Sequence, residues 1–241
     1  MRLSKRIYAI CDVVSHGETV ADIGTDHGYV PMLLVKKGVS PYAIMSDISE
    51  GSLSKAILTF KEAGINCSEN SFRVGDGLDT IESGEVDDII IAGLGGNTIV
   101  EILDNDIEKT RSFSKLIMQP RKYSGTLRYY LYTHGFDIIK EQMAEEGKFV
   151  CEIITAVPSS DTERIAPYPS DDIRWAYPES LASEAAELLI KRLDWKFTSI
   201  DEEINNLKLS RSDSTDYIKV LESGKEYLKS LYNKALHNIS Q

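Results

Sequence analysis

The sequence predicts an α/β protein with a mostly parallel sheet covered by helices on both faces, followed by an antiparallel helical hairpin. Three observations carry this. Short apolar runs alternate with segments of helical period from Val20 to Val157. One run, Asp87–Ala92 (DDIIIA), is nearly all apolar, as a strand buried on both faces must be. Beyond Pro178, apolar residues recur in steps of 3 and 4 along two long segments.

The elements follow in order. Leu3, Ile7, Ile10, Val13 and Val14 share one face of an N-terminal helix. Val20–Ile23 reads as a strand and Tyr29–Lys37 as a helix with Pro31 in its first turn. Tyr42–Met45 is the next strand. Ser49–Ala63 is a helix ended by Gly64. Ser71–Val74, Asp87–Ala92 and Lys115–Gln119 are further strands, with helices at Asn97–Leu103 and Ser124–Thr133. Phe136–Glu145 and Lys148–Val157 flank Glu146-Gly147, a hairpin signal that closes the sheet with an antiparallel strand. Pro158, Pro167, Pro169 and Pro178 mark a linker or folded-over loop. Then Leu189, Leu193, Lys196, Ile200, Ile204 and Leu207 form one stripe. Tyr217, Leu221, Leu228, Leu231 and Ala235 form a second, interrupted by Gly224. The two read as a hairpin of coiled-coil character. Residues 1–160 are expected to form the α/β domain and 161–241 the linker and hairpin.

Composition excludes several classes. Hydrophobic residues make up 42% of the 241, enough for a sizeable core. Cys11, Cys67 and Cys151 show no CxxC or Cys/His spacing, so neither a disulfide framework nor a zinc site is expected, and no metal. The basic and apolar N-terminus is broken by Asp12 and too short for a signal peptide or membrane span, so a soluble cytoplasmic protein is expected. The formal net charge of -11 opposes nucleic-acid binding when taken as a sum. Its distribution does not: no acid occurs between Glu108 and Asp137, where Lys109, Arg111, Lys115, Arg121, Lys122 and Arg128 fall. Arg2, Lys5 and Arg6 form a second basic group.

The first strand ends in Asp22-Ile23-Gly24-Thr25-Asp26-His27-Gly28. Gly24 allows a tight turn and Gly28 close helix packing, as in dinucleotide-binding loops. There the loop and helix N-terminus receive a pyrophosphate, which Asp26 would repel. A carboxylate suits a cation instead, and S-adenosylmethionine carries a sulfonium and an ammonium. Asp22 and Asp26 are therefore candidate partners for its methionine end, although Asp22 also suits a helix cap. Asp47 ends the second strand, placed to accept ribose hydroxyls. It also suits the cap of the helix near Ser49. Asp76 ends the third strand, from which a carboxylate can accept from an adenine amino group, with Gly75 and Gly77 allowing close backbone approach. Three acids after three successive strands are more specific than any one alone. After the fourth strand, Ala92-Gly93-Leu94-Gly95-Gly96-Asn97 replaces the Asn/Asp-Pro-Pro-aromatic motif of enzymes acting on exocyclic amines.

LSKRIYAICDVV, VADIGTDHGYVP, GDGLDTIESGEVDDIIIAGLGG and IMQPR…LRYYL together resemble the bacterial tRNA (adenine-N1)-methyltransferase family that modifies adenosine 22. The resemblance covers about residues 2–157, and the helical hairpin is also a feature of that family. It implies a class I methyltransferase, Rossmann-like fold with a seven-stranded sheet, S-adenosyl-L-methionine as cofactor, and tRNA as partner. The cofactor set it implies is Asp22, Gly24, Thr25, His27, Gly28, Asp47, Ile48, Gly75, Asp76, Gly77, Ala92, Gly93, Leu94 and Gly95. Asp26 and Tyr29 are the catalytic candidates: Asp26 to stabilise the cationic methylated adenine and accept its N6 proton, Tyr29 to stack on the base. Arg2, Lys5, Arg6, Arg121 and Lys122 are the candidate tRNA contacts. A monomer or weak homodimer is expected, with no membrane partner. Competing readings are a class I methyltransferase acting on another RNA site or a small molecule, a non-catalytic scaffold, and an NAD oxidoreductase.

Overall fold

The computed structural model describes residues 3–209 and 214–240. Arg2 and residues 210–213 lie outside the described residues. The chain divides into two compact units, Met1–Ala176 and Tyr177–Gln241.

The first unit begins with α1 (Lys5–Cys11), β1 (Val20–Ile23), α2 (Tyr29–Lys36), β2 (Ala43–Asp47), α3 (Glu50–Glu62) and β3 (Phe72–Val74). It continues through β4 (Asp88–Leu94), α4 (Gly96–Asp104), α5 (Ile107–Arg111), β5 (Lys115–Pro120) and α6 (Ser124–Thr133). The hairpin β6 (Phe136–Glu146) and β7 (Phe149–Pro158) and the single turn α7 (Ile173–Ala176) complete it. The seven strands form one sheet in the order β3-β2-β1-β4-β5-β7-β6. Strands β1 to β5 pair in parallel, and β7 inserts antiparallel between β5 and β6. This is the expected seven-stranded Rossmann-like sheet.

Period-two burial explains why these runs become inner strands. Ile89 and Ile91 of β4, with Leu116 and Met118 of β5, join the core on one face of the sheet, against Leu103 and Leu127. Ile90 and Ile117 point to the other face, against Ile10, Leu34 and Phe60. Alternate residues thus enter two separate cores, and neither face can be polar. Burying each such side chain contributes roughly 1.5–3 kcal/mol.

The acid-free basic run does not form one patch. Lys115 opens β5 at the sheet edge opposite the strand carboxyl ends. Its ammonium lies 2.6 Å from Glu18 and 3.1 Å from Asp88. Arg111 donates to the carbonyls of His134, Gly135 and Ser159. Arg128 is buried: Nε donates to Glu141 on β6 at 2.6 Å, Nη2 reaches Glu152 on β7, and Nη1 donates to the Trp175 carbonyl at 3.1 Å. An acid-free run does not reveal these pairs, because the carboxylates come from elsewhere in the chain: Glu18 before β1, Asp88 on β4, Glu141 on β6 and Glu152 on β7. Arg121 and Lys122 alone of the run are exposed at the carboxyl end of β5.

Residues 161–176 belong to the first unit. Trp175 packs against Tyr129, Tyr132 and Tyr168, with ring centroids 5.5–6.1 Å apart, and its Nε1 donates to the Pro169 carbonyl. The second unit contains the short α8 (Leu181–Glu184) and two long helices, α9 (Ala186–Leu209) and α10 (Thr215–Ile239). Tyr217 bonds Glu203, Lys225 pairs with Asp201, and Phe197 meets Tyr232. Partners ascend on one helix as they descend on the other, so the hairpin is antiparallel. Helix α10 runs unbroken through Gly224. The apolar seam is uneven: Leu189, Leu193, Ile200, Ile204, Leu228, Leu231 and Ala235 are buried, whereas Tyr217 and Leu209 are exposed.

Arg128→Ala leaves Glu141 and Glu152 buried without their cation, a change that costs about 3–5 kcal/mol. Urea unfolding of the variant is expected to show a loss of that size, and a loss below 1 kcal/mol would contradict the buried ion-pair assignment.

Candidate active site

In a parallel sheet, neighbouring strands whose connections leave in opposite directions open a crevice at their carboxyl ends. Here those strands are β1 and β4, which lead to β2 and β5 on opposite sides. A cleft of about 570 Å³ lies there, walled by Asp22, Gly24–Val30, Ala92–Leu94, Arg121, Glu146 and the first turn of α1. A second hollow of about 540 Å³ sits on the helical hairpin. It is ringed by surface charges such as Asp201, Lys225 and Lys229. It has no strand ends and no glycine backbone.

The register sets the cleft floor. Ile23 lies level with Ser46 on one side and Ile91 on the other. The Ser46 carbonyl then accepts from the backbone N–H groups of both Gly24 and Thr25, at 2.8 and 3.0 Å. This folds the loop tightly over β2. Gly28 is left-handed at φ +63, and a Cβ there would lie 3.0 Å from Ala56 Cβ on α3, so glycine is needed for the turn and for the close approach of α3.

Asp22 is 7% exposed and accepts from the Thr25 hydroxyl at 2.6 Å. It caps no helix; α2 starts on Gly28. Burial pushes its carboxyl up to about 6, opposed by the Thr25 hydrogen bond and the nearby Arg6 charge. Among the described residues Thr25 is the one hydrogen-bond donor to this carboxylate. Asp26 differs. It is exposed, pairs with Lys55 at 2.6 Å and lies 3.3 Å from His27 Nε2. The Lys55 hydrogen bond holds its carboxyl below the ordinary range. His27 stacks on Tyr29, with centroids 5.1 Å apart and planes 4° apart.

Of the residues expected from sequence, the cleft gathers Asp22, Gly24, Thr25, Asp26, His27, Gly28, Tyr29, Ala92, Gly93, Leu94, Arg6 and Arg121. Asp47, Ile48, Gly75, Asp76, Gly77 and Gly95 lie outside its wall. Asp47 and Gly75 are joined at the adjoining strand ends, where Gly75 N–H donates to the Asp47 carbonyl. Asp47 Oδ1 accepts from Ser49 N–H at 2.8 Å, while Ser49 itself caps α3. Asp76 and Ile48 are exposed. Beta-strand β4 bulges at Gly93, which turns the Ala92–Leu94 backbone toward Arg121.

Sequence reasoning missed Lys55, Glu146 and Gln119. Arg6 donates to Glu146 at 2.9 Å and to Gln119 at 3.2 Å, and Lys5 pairs with Glu145. The two N-terminal cations are therefore engaged by the β6–β7 hairpin. No local signal marks Glu145 or Glu146 for this, because strand-end acids usually face water.

Residues 3–154 match the family model described as a methyltransferase domain. The chain belongs to this methyltransferase domain family. The chain has 35% identity over 156 residues with the tRNA (adenine(22)-N(1))-methyltransferase of Bacillus subtilis, a match that spans 65% of each chain. The crystal structure of the B. subtilis m1A22 tRNA methyltransferase TrmK superposes with a TM-score of 0.80 at 28% identity, covering 96% of this chain and 99% of that one. Sp1610 of Streptococcus pneumoniae, solved in complex with S-adenosyl-L-methionine, gives 0.77 at 26% identity, covering 96% and 100%. The chemistry of the cleft fits such a ligand. A buried carboxylate, Asp22, at the cleft floor suits a cationic group, and the carboxylates of Asp47, at the end of β2, and Asp76, just past β3, lie outside the cleft wall. Among the described residues no helix is long and apolar enough to cross a membrane, and no acid, histidine and cysteine group could hold a metal.

Asp22 gives the methyltransferase domain a distinct pH signature. Its folded-state value of about 6 exceeds the unfolded value of ~3.9, so folding favours the protonated form. That contribution is fully present below about pH 4 and is lost as pH rises through about 6. Asp22→Asn removes it. The variant is expected to be more stable than the parent at pH 7.5, by on the order of 2 kcal/mol, with the gap closing near pH 4. Denaturant titrations of both proteins across this range measure the difference. A constant gap would show that Asp22 is not desolvated.

Proposed function

We propose that the protein transfers a methyl group from S-adenosyl-L-methionine to N1 of adenine 22 in tRNA. The single observation that carries the donor half is the buried Asp22 carboxylate at the floor of the β1–β4 crevice. The choice of tRNA rests on the likeness to TrmK along 96% of the chain. When bound, the donor supplies a methyl group on a positively charged sulfur.

Asp22, oriented by the Thr25 hydroxyl, receives the cationic amino-acid end. Asp47 takes the ribose hydroxyls. A carboxylate has about four acceptor sites, so its bond to Ser49 leaves capacity for both. Ile48, 72% exposed, would offer an apolar contact to the donor's adenine, Asp76 would accept from its amino group, and Gly75 and Gly77 would allow close backbone approach. The Ala92–Gly95 ribbon, with His27 and Gly28, closes the sides.

Adenine N1 has an in-plane lone pair, so no side chain must remove a proton before attack. The residues contribute mainly by orientation. Tyr29, stiffened by its stack on His27, holds the target ring. Methylation at N1 leaves the ring cationic. Asp26, kept ionised by the Lys55 hydrogen bond that holds its carboxyl below the ordinary range, stabilises that charge electrostatically. Arg121 and Lys122 hold phosphates at the rim. Arg6 and Lys5 contribute less, each being paired with a glutamate.

Incubation with labelled donor is expected to methylate unmodified tRNA carrying adenosine at position 22, and not the same tRNA with guanosine there. Equal labelling of both would refute the site assignment. Two variants separate the subsites. Asp47→Ala is expected to weaken donor binding tenfold or more, about 1.4 kcal/mol, with tRNA affinity unchanged. Arg121→Ala should weaken tRNA binding and lower its salt slope by about 1, with donor affinity unchanged in calorimetry.

A further inference from the structure

The loop after β5 holds a residue that the chemistry above does not use. Tyr123 has φ +60 and is the one non-glycine residue with positive φ among the described residues. Strained backbone of this kind persists only where its surroundings enforce it, and it clusters at functional sites. The surroundings here are explicit. Arg121 N–H donates to the Leu94 carbonyl at 2.7 Å, and Gly96 N–H donates to the Lys122 carbonyl at 2.8 Å. A Cβ on Gly96 would come within 2.1 Å of the Tyr123 carbonyl oxygen, so glycine is required there. The loop is thereby clamped onto the glycine ribbon that walls the cleft.

This clamped loop puts an aromatic ring in solvent. Tyr123 is 57% exposed, and Lys122 Nζ lies 5.7 Å from its ring centroid. Arg121, two residues earlier, lines the cleft. A rigidly mounted, exposed ring flanked by two cations at a pocket rim has the chemistry of a single-stranded nucleic-acid contact. The ring stacks on a base while the cations hold phosphates. We propose that Tyr123 is a stacking platform for an RNA base adjoining the one that enters the cleft. The proposal rests on the tRNA reading given above. A base that leaves a folded RNA to reach an active site abandons its stacked neighbours. The Tyr123 ring takes the place of the lost neighbour and holds the strand open at the cleft mouth.

Glycine adopts φ +60 without strain, so Tyr123→Gly removes the ring without disturbing the loop. Its thermal midpoint and donor affinity are expected to equal or exceed those of the parent. Its affinity for unmodified tRNA, read by fluorescence anisotropy, should fall roughly tenfold or more, with a matching rise in KM and a smaller change in kcat. Tyr123→Phe should restore both. The salt slope of binding should be unchanged in the glycine variant, whereas Lys122→Ala lowers it by about 1. Parental tRNA affinity in the glycine variant, or a phenylalanine variant as weak as glycine, would overturn the platform. Should the parent protein fail to methylate tRNA while Tyr123→Gly still weakens binding and Tyr123→Phe restores it, the platform stands and the methyl-transfer reading falls. If the parent methylates and the glycine variant binds normally, the reverse holds.

Discussion

Strand β1 is only four residues long, and its pairing on both sides decides where the chemistry lies. Val20 to Ile23 are hydrogen-bonded to β2 and to β4 in strict parallel register. Because side chains alternate across a strand, a slip of one residue would move Asp22 to the other face of the sheet and bring Ala21 or Ile23 to its place. The register is held by burial: Val20, Ala21 and Ile23 are at most 1% exposed. The apolar packing of β1 thus supports a carboxylate that is itself unfavourable to bury. The tight loop over Ser46 and the opening between β1 and β4 both follow from that pairing.

The fold was largely legible because parallel strands buried on both faces leave runs such as DIIIA, and because Gly64 and Gly147 end or reverse elements by local backbone chemistry. Both glycines are left-handed in the structure, at φ +73 and +60. What was not legible is short. Helix α5 has five residues and α7 four, too few for a helical period to register. The turn of α7 depends on Trp175, whose tyrosine neighbours come from α6 and from Tyr168. The contacts with Tyr129 and Tyr132 of α6 lie beyond any local window of sequence.

The site divides along the same line. Asp22, Gly24, Gly28 and the Ala92–Leu94 ribbon were readable because their roles come from strand ends and loop conformation. The partners that modulate them come from far along the chain. Lys55 meets Asp26 from α3, and Glu146 meets Arg6 across a separation of 140 residues. Long charged side chains carry no local mark of their partner. For the same reason the acid-free run does not show that Lys115 meets Glu18 from 97 residues away.

The Arg128 cluster has a consequence for how this chain can vary. One guanidinium joins α6 to two strands and to the Trp175 carbonyl. Removing the arginine strands two acids, and removing either acid leaves the cation underneutralised in a dry setting. Replacing all three by apolar residues of similar volume is tolerated in comparable clusters. The three positions therefore behave as one unit under mutation, with strongly non-additive effects. A lineage can keep the triad or exchange it whole, but every single-step path between those states passes through a destabilised protein.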